Sequence, residues 1–383
     1  MVQRAPLLGP EDSFDPGSIA DLRRKRGIGG SVNFEKALWA LEYTNQLSEA
    51  GLEFVLKGGT AVQLVTDPAW PRFSVDVDIC TDVGSRELEG TLLSIKDRFE
   101  KGFEFVPRES RTMTDEHFSS YKVKTPPIGG PSRTILLDVY LSVPPFHYQS
   151  TPVRSFFYPS DMVVNTPTVG DLAGDKLTIV APSSVGRRLR DSRQGVEYTK
   201  HVFDIQQLVR NEADPGYLRE AFMMVVEEQS RIRGTRYQIE DVIEDVIQTC
   251  QVMATLTLPS DWRGTSDLKL PIPLDKMRQI LRKGLRDFRP FLASDTVFGT
   301  DGMVIAAGEV ALVAMSCHSE DATGDALSSL VSDGFWDRTT NESREIIEGA
   351  TPEDTWFIDL QAGLYSQKAL AIWSEVVRMI GGN

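Results

Sequence analysis

Residues 54–80 of this 383-residue chain read FVLKGGTAVQLVTDPAWPRFSVDVDIC, and few folds accept such a stretch. The apolar run 54–56 suits a short buried strand. Gly58 and Gly59 interrupt it, residues 60–65 fit a short helix, and residues 73–80 alternate apolar and polar with the period of a strand. On a strand, side chains two apart share a face. Asp76 and Asp78 would then project together, while Val75, Val77 and Ile79 face a core. Two carboxylates about 5 Å apart repel by about 3 kcal/mol at an effective dielectric of about 20, so such a pair calls for a cation between its members. Hard oxygen donors of this kind suit Mg2+. For the pair alone, the plainer alternative is a solvated outer face that happens to carry two aspartates, and it is the commoner case.

Three further features bear on that choice. Asp138 interrupts the apolar run TILLDVYLS at 134–142, where an unpaired carboxylate is costly. It is either a structural, hydrogen-bonded aspartate or a third carboxylate on a neighbouring strand. Gly58 and Gly59 directly precede a helix, whose first backbone N–H groups lack intrahelical partners and can cradle a phosphate, and Thr60 could add a hydroxyl. Arg72 and Ser74 stand just before the carboxylates, where they could hold phosphate oxygens. Each feature has an ordinary reading as a turn or a surface side chain. Together, a phosphate cradle, an Asp-x-Asp pair and a later strand aspartate describe metal-assisted phosphoryl or nucleotidyl transfer, with Asp138 the best candidate to take a proton from an attacking hydroxyl.

Composition narrows the setting. Hydrophobic content of 41% and charged content of 25% are those of a globular protein with ample length for a core. Three scattered cysteines point away from a disulfide framework and from a zinc cluster. With no signal-like or membrane-length apolar run, the chain reads as soluble, cytoplasmic and without a membrane partner. The net charge of −14 argues against nucleic acid only at first sight: residues 295–383 hold 15 acidic and 4 basic side chains, so the first 294 residues are near balance. Four segments are expected: a poorly packed arm over 1–30, a mixed α+β core over 31–165, a helical domain over 166–294 and an acidic helical region over 295–383. Arg187, Arg188, Arg190 and Arg193, with the basic helix expected over 274–288, could bind a nucleic-acid backbone.

The order Gly-Gly, Arg72-x-Ser74-x-Asp76-x-Asp78, then Asp138 resembles the polymerase-β-like nucleotidyltransferase superfamily. KGGTA…RFSVDVDI looks more closely like the AbiEii/AbiGii group, the nucleotidyltransferase toxins of toxin–antitoxin systems that include MenT-type toxins. That group continues into a helical domain with a lysine and a basic-x-x-x-Asp-hydrophobic stretch, which Asp175-Lys176-Leu177 and Lys200-His201-Val202-Phe203-Asp204-Ile205 match. The resemblance spans residues 31 to 210 or so. It implies that Lys176 contacts the nucleotide phosphates and that Asp204 orients it or another site group. It also implies bound Mg2+, with Mn2+ as a substitute, at Asp76, Asp78 and Asp138, an NTP substrate, transfer of NMP to an acceptor such as the 3′ end of tRNA, and an antitoxin partner. A protein or small-molecule acceptor, or nucleotide binding without turnover, stays open at this point. The chain departs from the group in the length of the TDPAWPRF insertion, in the long loop over 183–195, and in Lys200-His201 where an Arg-Asp pair is usual. His201 is expected to be an exposed helix histidine.

Overall fold

The computed structural model describes residues 7–66, 71–99, 102–108, 117–262, 268–293, 297–349, 364 and 366–381. The chain divides into two compact units. One joins Met1–Thr168 to Pro290–Thr296, the other joins Val169–Arg289 to Val297–Asn383.

The first unit is built on a mixed sheet. Helices α1 (Pro16–Lys25) and α2 (Ser31–Glu49) precede β1 (Val55–Lys57), α3 (Gly58–Val65), β2 (Val77–Cys80), α4 (Ser85–Arg98), β3 (Glu104–Pro107), β4 (Phe118–Lys124), β5 (Thr134–Tyr140), β6 (Tyr148–Pro152) and β7 (Val163–Pro167). The seven strands run in the order β3-β4-β5-β2-β1-β7-β6. β2 pairs parallel with β5 and antiparallel with β1. Period-two alternation gives this sheet two different faces. Leu56, Val77, Ile79, Ile135, Leu137 and Val139 are buried on one, where α2 packs. Lys57, Asp78, Asp138 and Ser120 share the other, because they are register partners across β1, β2, β5 and β4. The α+β fold expected from the sequence is therefore present, with β2 at the centre of the sheet and the apolar run of β5 beside it.

Three expectations change. The strand expected over 73–80 begins only at Val77, because residues 71–73 pair elsewhere: Phe73 N–H donates to Phe291 O at 2.6 Å, Ala293 N–H to Pro71 O at 3.1 Å, and Arg72 bridges Leu292. The partner segment lies more than two hundred residues along the chain. β6 and β7 were not separately expected; both end in proline, which favours sheet margins, and β6 is one of the two edge strands. Residues 7–30 are not a loose arm. The backbone N–H groups of Leu8 and Gly9 donate to the buried Glu42 carboxylate at 2.9 and 3.0 Å, and Ile19 and Ile28 are buried. Glu42 also accepts from the Tyr158 hydroxyl at 2.8 Å, so one carboxylate ties the N-terminal segment to the core.

The second unit is helical: α5 (Val169–Ile179), α6 (Ser192–Val209), α7 (Pro215–Arg233), α8 (Ile239–Ala254), α9 (Leu274–Phe288), α10 (Thr300–Ser316), α11 (Glu320–Val331), α12 (Asp333–Trp336), α13 (Thr340–Gly349) and α14 (Gln367–Gly381). The described residues of the acidic C-terminal stretch are largely helical, as its patterning suggested, and they are interleaved with the preceding helices. α10 packs against α6, α8 and α14. Its Glu309 is fully buried and accepts from Gln206 Nε2 and Arg210 Nε at 3.1 and 3.0 Å, and Trp373 of α14 donates its indole N–H to Val304 O at 2.9 Å. Trp356 lies outside the described residues. Among the described residues no helix is long and apolar enough to cross a membrane. The three cysteines are buried and unpaired with one another.

Candidate functional site

The turn after β1 and the first turn of α3 meet the open face of the sheet. Gly58 adopts φ +66°, the left-handed region that disfavours a side chain. A Cβ placed there would lie 1.9 Å from Asp78 Oδ2, so the backbone abuts the carboxylate directly. A Cβ on Gly59 would meet an Arg72 guanidinium nitrogen at 2.6 Å and Ser74 Oγ at 2.7 Å. The two glycines thus leave room for the side chains that the sequence placed beside them. Arg72 is almost fully buried, with its Nη1 donating to Phe73 O at 3.0 Å. Ser74 is held by its backbone N–H, which donates to Gln63 Oε1 of α3 at 2.9 Å. Asp138 stands in register with Asp78 on the parallel neighbour β5, and its Oδ1 accepts from Ser120 Oγ of β4 at 2.5 Å.

Two of the expected site residues are placed differently. Asp76 precedes β2, and its Oδ1 accepts the backbone N–H of Leu136 at 3.3 Å, so it braces β5 as well as standing beside Asp78. The buried Thr60 hydroxyl donates to Asp76 O at 2.7 Å, tying α3 to the residue just before β2. Among the described residues no three His, Cys, Asp or Glu side chains are gathered so as to hold a metal ion. The donor set nevertheless fits a hard divalent cation in kind: Asp78 and Asp138 are adjacent carboxylates on one sheet face, at a spacing of about 5 Å between paired strands. Asp76 lies next to that pair and outside the strand register that defines it.

In the helical unit, Lys176 of α5 and Asp204 of α6 form an ion pair at 3.0 Å, with both side chains buried. His201 lies one turn before Asp204 and is not exposed: it is half-buried, and its Nδ1 is enclosed without a hydrogen-bond partner. Burial, and then the nearby Lys176 ammonium, push its imidazole down to about 3. The loop before α6 is long but braced. Asp245 accepts from the backbone N–H groups of Ser183 and Ser184 at 2.8 Å each and from Ser184 Oγ at 2.7 Å. Arg233 donates to the carbonyls of Ser184 and Gly186 at 2.7 Å, and the Tyr198 hydroxyl donates to Arg187 O. Arg187, Arg188, Arg190 and Arg193 are exposed on this braced loop and at the start of α6. The basic face expected of α9 is smaller than the sequence suggested. Arg278 is buried and donates to the carbonyls of Trp262, Thr255, Leu258 and Pro259, while Arg282 donates to Leu256 O at 3.1 Å.

A family model described as the nucleotidyl transferase AbiEii toxin of type IV toxin–antitoxin systems matches residues 39–297, more than half of the chain. The chain belongs to the AbiEii family of nucleotidyltransferase toxins. The match takes in the whole Gly58–Asp138 arrangement together with Lys176 and Asp204. The chain is also similar in structure to MenT4, a nucleotidyltransferase toxin from Mycobacterium tuberculosis H37Rv, at 16% identity and a TM-score of 0.42, covering 82% of this chain and 99% of that one. No curated protein sequence matches.

For this AbiEii protein, sequence reasoning passed over Lys57, Gln63 and Ser120. Lys57 is visible in the KGG triplet, but its place beside Asp78 depends on the β1–β2 register. Ser120 needed the β4–β5 register in the same way. Gln63 carried no signal beyond its position on the short helix.

Proposed function

We propose that this AbiEii protein transfers a nucleoside monophosphate from an NTP to a hydroxyl of an RNA acceptor, the 3′ end of tRNA, and that this is how it inhibits growth under the control of its antitoxin. The observation that carries the reading is the direct packing of the Gly58-Gly59 turn against Asp78, Arg72 and Ser74. A glycine turn opening a helix beside carboxylates supports reading it as a phosphate cradle next to a metal-binding pair.

The backbone N–H groups at the start of α3 hold the triphosphate, favoured by the positive end of the helix. Arg72, fixed against Gly59, adds positive charge beside the phosphates. Asp138, aligned by the Ser120 hydroxyl, accepts the proton of the attacking hydroxyl. The hydroxyl oxygen then forms a bond to the α-phosphorus, the bond from that phosphorus to the oxygen bridging to the β-phosphate breaks, and pyrophosphate leaves. Asp78 and Asp138, with Asp76 beside them, would hold Mg2+ or Mn2+, which when bound would offset charge on the phosphates and the leaving group. Lys176 is assigned to the nucleotide phosphates by the family resemblance alone, and Asp204 to holding Lys176, which their buried ion pair supports. The acceptor assignment is supported by Arg187, Arg188, Arg190 and Arg193, presented to solvent from a loop with little freedom. Clustered arginines of this kind suit a phosphate backbone.

The test is incubation with each α-labelled NTP, Mg2+ and total tRNA. Label is expected in tRNA with the wild type and none with Asp78→Ala. Label in a protein or in a small molecule instead would move the acceptor assignment, and no label with any NTP would remove the reading.

A further inference from the structure

Lys57 has no assigned role, yet it stands in the row that carries the carboxylates. The register sets Lys57 beside Asp78, Asp78 beside Asp138 and Asp138 beside Ser120, so four polar side chains cross four adjacent strands on one face. The lysine stem runs diagonally from this row toward Tyr140, which pairs with Cys80 two residues beyond Asp78. Its Nζ lies 5.1 Å from the centroid of the Tyr140 ring and 5.8 Å from that of Phe146. Tyr140 is on β5, two strands from β1, and paired strands are about 4.8 Å apart. The side chain therefore crosses β2 on the face that carries Asp78, and the ammonium rests on the aromatic rings beyond it. Ring faces attract a cation and hold it without removing its charge. The Gly58 turn that follows is pressed against Asp78, which fixes the backbone from which the lysine projects.

We propose that Lys57 is a positioning residue of the site: its ammonium is the built-in counter-cation of the Asp78–Asp138 pair and limits how tightly that pair takes a divalent cation. The proposal rests on the reading that these two aspartates hold the metal. Like charges about 5 Å apart repel by several kcal/mol at intermediate dielectric, and a fixed monovalent cation offsets much of that repulsion. It also opposes an incoming divalent ion. The pair is thereby kept aligned without a metal, and metal binding is left weak enough to need the phosphates of an NTP as further ligands.

The experiment is titration of Mn2+ into the full-length protein without nucleotide, following free Mn2+ by its electron paramagnetic resonance signal at fixed ionic strength. Lys57→Met keeps an apolar stem against Tyr140 and removes the charge. It is expected to bind Mn2+ about tenfold more tightly than wild type. Lys57→Arg restores the charge and is expected to restore wild-type affinity, while Asp78→Asn weakens binding. A role confined to packing on the rings would move the melting temperature and leave the Mn2+ affinity where it was. Should Lys57→Met fail to fold, Lys57→Gln makes the same comparison. Unchanged or weaker Mn2+ binding in the charge-removing variant, with Asp78→Asn still weakened, overturns the role of Lys57 and leaves the metal reading standing. Equal binding by Asp78→Asn and wild type overturns both.

Discussion

Gly58 carries the tightest local constraint in the site. Its φ of +66° and the 1.9 Å separation between a hypothetical Cβ and Asp78 Oδ2 are independent obstacles to any side chain. In Gly58→Ala the left-handed backbone alone costs about 1–2 kcal/mol, and the methyl group must displace the Asp78 carboxylate, to which the proposed transfer assigns the metal. The expected outcome is a protein destabilised by about that amount in denaturant titration, with transfer activity lost far beyond what the stability change explains. An alanine variant with wild-type activity would separate the glycine from the site. The same residue shows what was legible in the primary structure. Two glycines between an apolar run and a helix were enough to suggest a phosphate cradle. The contact of Gly58 with Asp78, and of Gly59 with Arg72 and Ser74, required the folded turn.

Among the elements, α6 combines the most unlike demands. It carries Asp204 in a buried ion pair, His201 with an enclosed Nδ1, and Gln206, which with Arg210 just past the helix end donates to the buried Glu309 of α10. The imidazole of His201 is held well below its ordinary value of 6.5, down to about 3. A lowered histidine means that the unfolded chain binds a proton the folded chain refuses. Its contribution is present above pH 6.5 and is lost as pH falls from there toward 3. Wild-type stability is therefore expected to decline between pH 6.5 and 4 more steeply than that of His201→Gln, read as the denaturant midpoint at each pH. Parallel declines would remove His201 from the account. The histidine was misread in sequence because Lys200-His201 looks like a solvated helix face until α5 and its Lys176 are packed against it. The arginines of α9 were misread for a related reason: the carbonyls that Arg278 and Arg282 satisfy belong to the chain after α8, which no local pattern reveals. β5 was the opposite case. Its apolar run around Asp138 read as a strand in sequence and is one, while the alternation of its burial came only with the sheet.

At the scale of the whole molecule, the sheet unit is not a continuous piece of chain. Residues 290–293 return to it, and Phe291 and Ala293 complete the hydrogen bonds of residues 71–73, next to Arg72 and Ser74. A fragment ending at residue 168 lacks these partners. It is expected to exchange the Phe73 amide rapidly and to unfold at lower denaturant than the intact chain, both measurable by hydrogen exchange and equilibrium unfolding. Equal protection of that amide in fragment and full chain would contradict the assignment of this segment to the unit. The discontinuity also helps explain why the second strand read too long in sequence: Phe73 bonds a segment far away in the chain, and the Ser74 N–H goes to Gln63 of α3 before β2 begins at Val77.

The central claim is that carboxylates on the open sheet face direct monophosphate transfer from an NTP bound at the Gly58-Gly59 turn. Parallel reactions with α-labelled and γ-labelled NTP, Mg2+ and total tRNA test it most directly, using wild type and an Asp78→Asn/Asp138→Asn variant. The α-label is expected in the RNA and the γ-label in released pyrophosphate, with neither transfer nor release in the variant. A γ-label retained on the acceptor, or α-labelling that survives loss of both aspartates, would contradict the account.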